Sequence, residues 1–101
     1  LETILAVCIM ELIETKIMAW PDFIACLSLP PARVLGLDRG VLVEGGVADI
    51  TLIDPERTWV YTPESVVSKS RNTPFLNWSF KGMATDVILA GKVLMTDGQV
   101  H

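Results

Sequence analysis

The feature that most constrains the fold is an apolar segment at residues 2–18, which contains neither Gly nor Pro. Apolar side chains recur at helical spacing from Leu5 to Ile17, and this pattern predicts a helix. Apolar residues such as Ile4 and Val7 also occupy the other sides of its first two turns. A helix that is apolar all round belongs inside a larger protein. We therefore expect this helix to be covered on both faces by elements that a chain of 101 residues can hardly supply.

The next part of the chain is predicted to contain two shorter helices. Residues 20–27 have an amphipathic pattern and a proline in the first turn, which favours a helix start. Ser28 can cap the next turn, whereas the prolines at 30–31 are expected to keep the chain extended before a brief helix at 32–35. Gly36 then fits a left-handed helix stop.

From Gly40 onward the pattern changes to strands and turns. Short strands are predicted at 48–53, 58–61, 86–89 and 92–95. Asp54–Pro55 is expected to end the first strand in a turn, and Ala90–Gly91 to close a tight hairpin. A polar loop fills residues 62–81, and Asp97–Gly98 marks a last turn. The predicted fold class is therefore α+β, with helices first and a small antiparallel sheet second.

Composition excludes several functions for this chain. Its net charge of −4 and its pI near 4.8 are the wrong sign for a surface that binds phosphate backbones, so no nucleic-acid partner is expected. Charged residues interrupt the apolar start below membrane-spanning length, so no membrane partner is expected either. Cys8 and Cys26 are interpreted as buried, reduced thiols, and with no secretory signal the expected location is cytoplasmic. The chain starts at Leu1 within an apolar segment, which suggests that a preceding part of the protein is missing.

The residues offer little for catalysis or metal binding. His101 is the only histidine and is the last residue, so neither a metal centre nor a Ser-His-Asp triad is predicted. The glycines do not match a phosphate-binding loop. Asp49, Asp54 and Glu56 cluster near one turn, where turn chemistry explains acidic residues better than acid–base catalysis does. We therefore assign no catalytic, substrate-binding or metal-binding residue.

One polar stretch is not explained by composition. It comprises Ser68, Lys69, Ser70, Arg71, Asn72, Thr73, Pro74 and Phe75. Its two cations, amide and hydroxyl groups could hold an anion such as a carboxylate or phosphate. They could equally fasten their own loop, with Phe75 and Trp78 packing it onto the sheet. We favour the structural interpretation, because a long loop within a compact domain needs such anchors.

Five segments together resemble the C-terminal part of class I dihydroorotases, which belong to the amidohydrolase family with allantoinases and dihydropyrimidinases. They are LET at Leu1–Thr3, PARVLGL at Pro31–Leu37, GGVADITLID at Gly45–Asp54, SKSRNTPF at Ser68–Phe75, and the closing hairpin from Gly82 to Val93. Their order matches the family along essentially the whole chain. Two positions depart from it: Pro30 where Asn is common, and Asn77 where Gly is common, although Asn tolerates a left-handed backbone.

The resemblance implies a fold beyond this chain. The family combines a metal-carrying (β/α)8 barrel with a small β-sandwich built from both chain ends. Residues 1–38 would be the last helices of an incomplete barrel, and residues 39–101 the C-terminal part of the sandwich. A barrel helix is covered by its neighbours, which agrees with the apolar first helix.

The resemblance also implies an activity, which is the reversible hydrolysis of the cyclic amide of dihydroorotate to carbamoyl aspartate in pyrimidine biosynthesis. The expected cofactor is zinc in the longer protein, with none bound by this chain, because the family's ligand motifs match no position here. The expected partners are the rest of the parent chain, dihydroorotate as the parent's substrate, and further copies through self-association. Two alternatives remain open: a non-catalytic interaction module that docks through residues 2–18, and the tail of an allantoinase or dihydropyrimidinase.

Overall fold

The computed structural model describes residues 1–101 and contains helices followed by one antiparallel sheet. The helices are α1 (Ile4–Cys8), a π-helical turn that continues it (Ile9–Ile13), α2 (Trp20–Leu27) and α3 (Leu29–Val34). The strands are β1 (Ile50–Val60), β2 (Ser79–Leu89), β3 (Lys92–Thr96) and β4 (Gln99–Val100), with a short 3-10 turn at Pro63–Ser65. The strands pair in the order β1-β2-β3-β4, and every pair is antiparallel. The predicted mixture of helix and antiparallel sheet is confirmed.

The first helix is shorter than predicted. Its last turn is π-helical, with the amide of Glu14 donating to the carbonyl of Ile9 at 3.0 Å, and it ends at Ile13. The hydroxyl of Thr15 donates to the carbonyl of Glu11 at 2.6 Å, and Lys16 takes a left-handed φ of +60°. The extension to residue 18 was therefore wrong, because a residue in the left-handed region cannot continue a right-handed helix.

Only one face of this helix is covered within the chain. Ala6 and Ile9 are buried, and α1 and the π-helical turn pack against β2. Ile4 is exposed on another face, and so is Ile17 beyond the helix end. The cover expected for the second face is not supplied by residues 1–101.

The region of α2 and α3 corrects two local predictions. The prolines at 30–31 lie inside the first turn of α3 and are not extended. Proline is tolerated there because first-turn N–H groups have no acceptor within the helix. The hydroxyl of Ser28 donates back to the carbonyl of Ile24 at 2.7 Å and makes no side-chain cap for α3. The helix at 20–27 and the left-handed φ of +66° at Gly36 are confirmed.

The predicted turn at Asp54–Pro55 is instead an irregularity within the single long strand β1. Asp54 pairs with Met83 and Thr58 pairs with Lys81, so three residues of β1 face only Gly82. The Oδ1 atom of Asp54 accepts hydrogen bonds from the amides of Glu56 at 2.9 Å and Arg57 at 3.2 Å. The sequence identified the turn-forming residues correctly. Pairing of β1 with β2 resumes at Thr58, however, so the turn is a bulge within one strand.

Both predicted hairpin turns are confirmed. Ala90 and Gly91 have φ of +49° and +78° between β2 and β3, and Asp97 and Gly98 have φ of +48° and +78° between β3 and β4. Two successive positive φ angles match the right-handed twist of the strands. These turns determine that the last three strands form a meander.

The core lies where the first helix crosses the sheet. It contains Ala6, Tyr61, Val66 and Phe80. At Gly82 on β2, an added Cβ atom would stand 2.5 Å from the Cδ1 atom of Ile9. A glycine is thus required for this close approach of helix and strand. None of the helices is long and apolar enough to cross a membrane.

Candidate functional site: the loop between β1 and β2

The polar stretch singled out in the sequence lies in the loop between β1 and β2. Next to the end of β1, Tyr61 closes the base of this loop with two backbone hydrogen bonds. Its amide donates to the carbonyl of Trp78 at 3.0 Å, and its carbonyl accepts from the amide of Asn77 at 2.7 Å. Asn77 has a left-handed φ of +65°, which Asn adopts more readily than other non-glycine residues. The loop therefore leaves and re-enters the sheet at one point.

Short-range hydrogen bonds give the loop internal structure. The Nη1 atom of Arg71 donates to the carbonyl of Pro63 at 3.0 Å, which ties the middle of the loop to its start. The amide of Phe75 donates to Oγ1 of Thr73 at 3.2 Å. The amide of Asn72 lies 3.4 Å from Oγ of Ser70. One cation of the stretch is thus engaged by the loop's own backbone.

Phe75 connects the loop to the aromatic part of the core. Its ring lies edge-on to Trp78, with centroids 5.2 Å apart, and 6.1 Å from the centroid of Phe80. Trp59 and Tyr61 also contact Phe80, at centroid distances of 5.1 and 6.3 Å. Such pairs add stability beyond their buried area. Of the other residues of the stretch, Thr73 is half-buried, and the rest are exposed, namely Ser68, Lys69, Ser70, Arg71, Asn72 and Pro74.

Glu2 makes a contact with this loop that the sequence analysis missed. Its Oε1 atom accepts from the hydroxyl of Tyr61 at 2.8 Å and lies 3.4 Å from the amide of Ser68, and its Oε2 atom accepts from the amide of Val67 at 3.1 Å. The available signal was the placement of a carboxylate at the start of an apolar helix, within the LET segment. Its partners lie more than 55 residues away, so spacing could not identify them.

These hydrogen bonds shift two acid–base equilibria. Burial acts to raise the pKa of Glu2, but the hydrogen bonds from Val67, Tyr61 and Ser68 together hold the pKa below its ordinary value. Burial raises the pKa of Tyr61, as do its hydrogen bond to Glu2 and the negative charge there. Both shifts favour an ionised Glu2 and a neutral Tyr61, which is the protonation that the contact requires.

Asp49, Asp54 and Glu56, the three carboxylates that cluster in the sequence, each have their own hydrogen-bond or ion-pair partners. Asp49 pairs with Arg39 at 2.9 Å and accepts from the amide of Ala90 at 2.7 Å. Asp54 accepts amides within the bulge, and Glu56 pairs with Lys81 at 3.0 Å. They do not converge on a shared point, so they have no geometry for paired acid–base chemistry.

The residues of this chain do not fit a zinc site. No group of three or more His, Cys, Asp or Glu side chains is placed to hold a metal ion. The Nε2 atom of His101 lies 2.9 Å from Oγ1 of Thr96 in an exposed position. Neither cysteine belongs to such a group, and the interpretation of both as buried was wrong, because Cys8 is half-buried and Cys26 is exposed. A structural zinc needs four converging ligands, and a catalytic zinc needs three.

Comparison with known sequences decides the family. The chain is 44% identical over 85 residues to a dihydroorotase of Geobacter metallireducens and 42% identical over 85 residues to one of Geotalea daltonii. Each match includes 84% of this chain. A dihydroorotase of Citrifermentans bemidjiense is 39% identical over 94 residues, which is 93% of the chain. The chain belongs to the dihydroorotase family. It spans about a fifth of the length of these dihydroorotases.

The fold of this dihydroorotase-family chain has also been seen in a solved structure. A D-hydantoinase superimposes with a TM-score of 0.79, and the match covers 91% of this chain and 21% of the hydantoinase. The sequence identity is 23%, so this likeness concerns the fold. No family model matches the sequence. The mixed helix-and-sheet arrangement described above is therefore one found within a larger enzyme.

Proposed function

We propose that the chain is the C-terminal segment of a dihydroorotase, and that the longer protein reversibly hydrolyses the cyclic amide of dihydroorotate to carbamoyl aspartate in pyrimidine biosynthesis. The observation that carries the proposal is the identity of 44% over 84% of this chain to a protein named dihydroorotase. The ordered LET, PARVLGL and SKSRNTPF segments support it. The 101-residue chain alone is inactive in this proposal, because its residues supply no converging ligands or catalytic group.

The proposal assigns the two parts of the chain to different domains. Residues 1–38 belong to the helical end of a (β/α)8 barrel, and residues 39–101 belong to a β-sandwich. Zinc is the cofactor of the longer protein and is held by residues outside this chain. The proposed location is the cytoplasm. The Ser68–Phe75 stretch has a structural role, which the contacts of Arg71 and Phe75 support.

The proposed partner of this chain is the rest of its parent protein. An apolar groove of about 410 Å³ lies between α1, α2 and β1, and Leu5, Leu27 and Ile53 are among its lining residues. Large apolar side chains at the end of α3 and between α3 and β1, such as Val34 and Leu42, are also exposed. Contiguous apolar surface of this kind marks an interaction site. In isolation, the same surface is expected to drive self-association of the chain.

The experiment that tests the function compares two purified proteins. One is the 101-residue chain, and the other is the protein encoded by the longest in-frame extension of its gene. Ring opening of dihydroorotate is followed by the loss of its ultraviolet absorbance, with and without a metal chelator. We expect activity only in the extended protein, and we expect the chelator to abolish it. Activity in the 101-residue chain would contradict the proposal.

The same assay separates the other cyclic amidohydrolases. If the extended protein opens allantoin or a dihydropyrimidine and not dihydroorotate, the substrate assignment is wrong and the family assignment stands. If it opens none of them, the non-catalytic alternative is favoured. In that alternative the chain docks onto a partner through residues 2–18. Leu5→Asp then tests whether this segment binds the partner, since Leu5 lines the apolar groove.

A further inference from the structure

We propose that Glu2 is a positioning residue for the loop between β1 and β2, and that its carboxylate holds the 67–68 segment of this loop against the start of the first helix. The inference goes beyond the proposed function. It concerns hydrogen bonds within this chain and holds whichever substrate the longer protein takes. The loop shape is then determined by a residue far from it in sequence.

The carboxylate of Glu2 lies where two separate segments of the chain meet. Three donors from two separate segments converge on Glu2: the hydroxyl of Tyr61 at 2.8 Å, the amide of Val67 at 3.1 Å and the amide of Ser68 at 3.4 Å. Tyr61 belongs to the buried core, with 3% of its surface exposed. Its hydroxyl therefore provides a fixed reference that orients the carboxylate toward the loop.

No other group outside the loop makes a hydrogen bond to residues 67–72. Backbone hydrogen bonds close the base of the loop at Tyr61, and Phe75 packs its far end onto the core. Between residues 67 and 72, the other hydrogen bonds are those of Arg71 to Pro63 and of Asn72 to Ser70, which lie within the loop. Glu2 thus supplies the hydrogen bonds between the middle of the loop and the rest of the molecule, next to the core packing of the preceding residue, Val66.

Only a carboxylate at residue 2 can accept hydrogen bonds from all three donors. Backbone amides can only donate, so Val67 and Ser68 need an acceptor on each oxygen of residue 2. Glutamine has the same shape, but its NH2 group would face at least one of these donors. Hydrogen bonds to an ionised group are also stronger than neutral ones. Glu2→Gln is therefore a mild substitution that breaks at least one of these hydrogen bonds and retains the size of the side chain.

The test is hydrogen exchange of individual backbone amides in the 101-residue chain, followed by NMR. In Glu2→Gln we expect exchange at Val67 and Ser68 to become faster by about three- to fivefold, with the larger change at Val67, because opening of this segment costs less free energy. The matched control is Glu11→Gln, which removes the same charge from an exposed residue whose side chain has no partner in the structure. It should leave both amides unchanged.

A second variant distinguishes positioning from general stabilisation. Tyr61→Phe removes one donor to Glu2, and it should produce a smaller acceleration at the same two amides. Combined with Glu2→Gln, it should accelerate these amides by less than the product of the two separate effects, since both changes weaken the same hydrogen-bond network. The proposal is overturned if Val67 and Ser68 are unaffected in Glu2→Gln. It is also overturned if the amides of β2 accelerate by the same factor, because the residue would then stabilise the fold as a whole.

Discussion

Two regions of the molecule differ in how far they bury their apolar side chains. One is the sheet with the loop between β1 and β2. The other comprises α2, α3 and the segment up to residue 47. In the first region, Phe80 is 2% exposed and is surrounded by four aromatic rings. In the second, Val34 and Leu42 are 87% and 77% exposed. Both regions are rich in apolar residues, so composition does not account for the difference. The sheet region forms a core together with the first helix, whereas the second region leaves large apolar side chains exposed.

This contrast explains how a chain with a mean hydropathy of +0.46 buries only 9 of its 101 residues. Stability comes from the contact of the first helix with β2 and the aromatic cluster. The exposed apolar residues contribute little while they remain in water, because burial is the source of hydrophobic stabilisation. Substitutions in the two regions should therefore have very different costs.

The largest effect is expected for Phe80→Ala. Removing this buried ring should lower the free energy of unfolding by about 3–5 kcal/mol, because it leaves a cavity beneath Trp59 and Tyr61. Urea unfolding followed by tryptophan fluorescence measures the change. The control is Leu35→Ala at an exposed position, which should change stability by less than about 0.5 kcal/mol. Equal losses in the two variants would abolish the distinction between the regions.

A smaller effect is expected for Gly82→Ala, which tests the close packing of the first helix on β2. Its Cβ atom would stand 2.5 Å from Cδ1 of Ile9, which is fully buried and has little room to move. The matched control is Gly91→Ala, which also has a positive φ but meets nothing within 4 Å. We expect Gly82→Ala to cost about 1–3 kcal/mol more than Gly91→Ala in urea unfolding. If the two variants lose similar amounts of unfolding free energy, backbone strain alone explains both losses.

A third prediction concerns the pH dependence of the Glu2 contact. The pKa of Glu2 is lowered in the folded chain from its ordinary value of 4.5, so the contact stabilises the fold above that pH. As pH falls through the folded pKa, Glu2 is protonated and this contribution is lost. The stability difference between the wild type and Glu2→Gln should be constant near neutral pH and should shrink below pH 4.5. Because Glu2 is exposed, the difference is expected to stay below about 1 kcal/mol.

Thermal unfolding of both proteins between pH 7 and pH 3 measures this difference. Glu11→Gln serves as the reference for any general effect of charge. If the stability difference between the wild type and Glu2→Gln grows as pH falls, the prediction is wrong, since that result would require a raised pKa for Glu2 in the folded chain.

The smallest effect is expected for Lys81→Gln. Hydrogen bonds to Glu56 and Glu14 raise the pKa of Lys81, and the ion pairs have lengths of 3.0 and 3.2 Å. The pair with Glu14 connects the sheet to the end of the first helix, and the pair with Glu56 joins β2 to β1, but both are open to solvent and contribute little. We expect a small drop in melting temperature that decreases as salt is added. Lys92→Gln, at an exposed position without an ion pair, is the control. If Lys81→Gln lowers the melting temperature as much as Gly82→Ala does in the same measurement, then charge, and not close packing, holds the first helix on the sheet.

Much of the local structure could be predicted from the sequence because its causes are local. The turns at Ala90–Gly91 and Asp97–Gly98 follow from residues that tolerate positive φ, and the helix at 20–27 follows from its amphipathic pattern. The family followed from five ordered segments and is supported by the identity to named dihydroorotases. The structural role assigned to Ser68–Phe75 stays a prediction.

The tertiary structure decided the features that depend on distant partners. Asp54–Pro55 has the chemistry of a turn, yet pairing with β2 on both sides makes it a bulge. The first helix stops at Ile13, and its covered face was determined by contact with Gly82. Glu2 is an ordinary charged residue in the sequence, and only folding brings the amide of Val67 to it. The physical reason is that backbone preferences act over a few residues, whereas burial and side-chain hydrogen bonds depend on which segments meet in space.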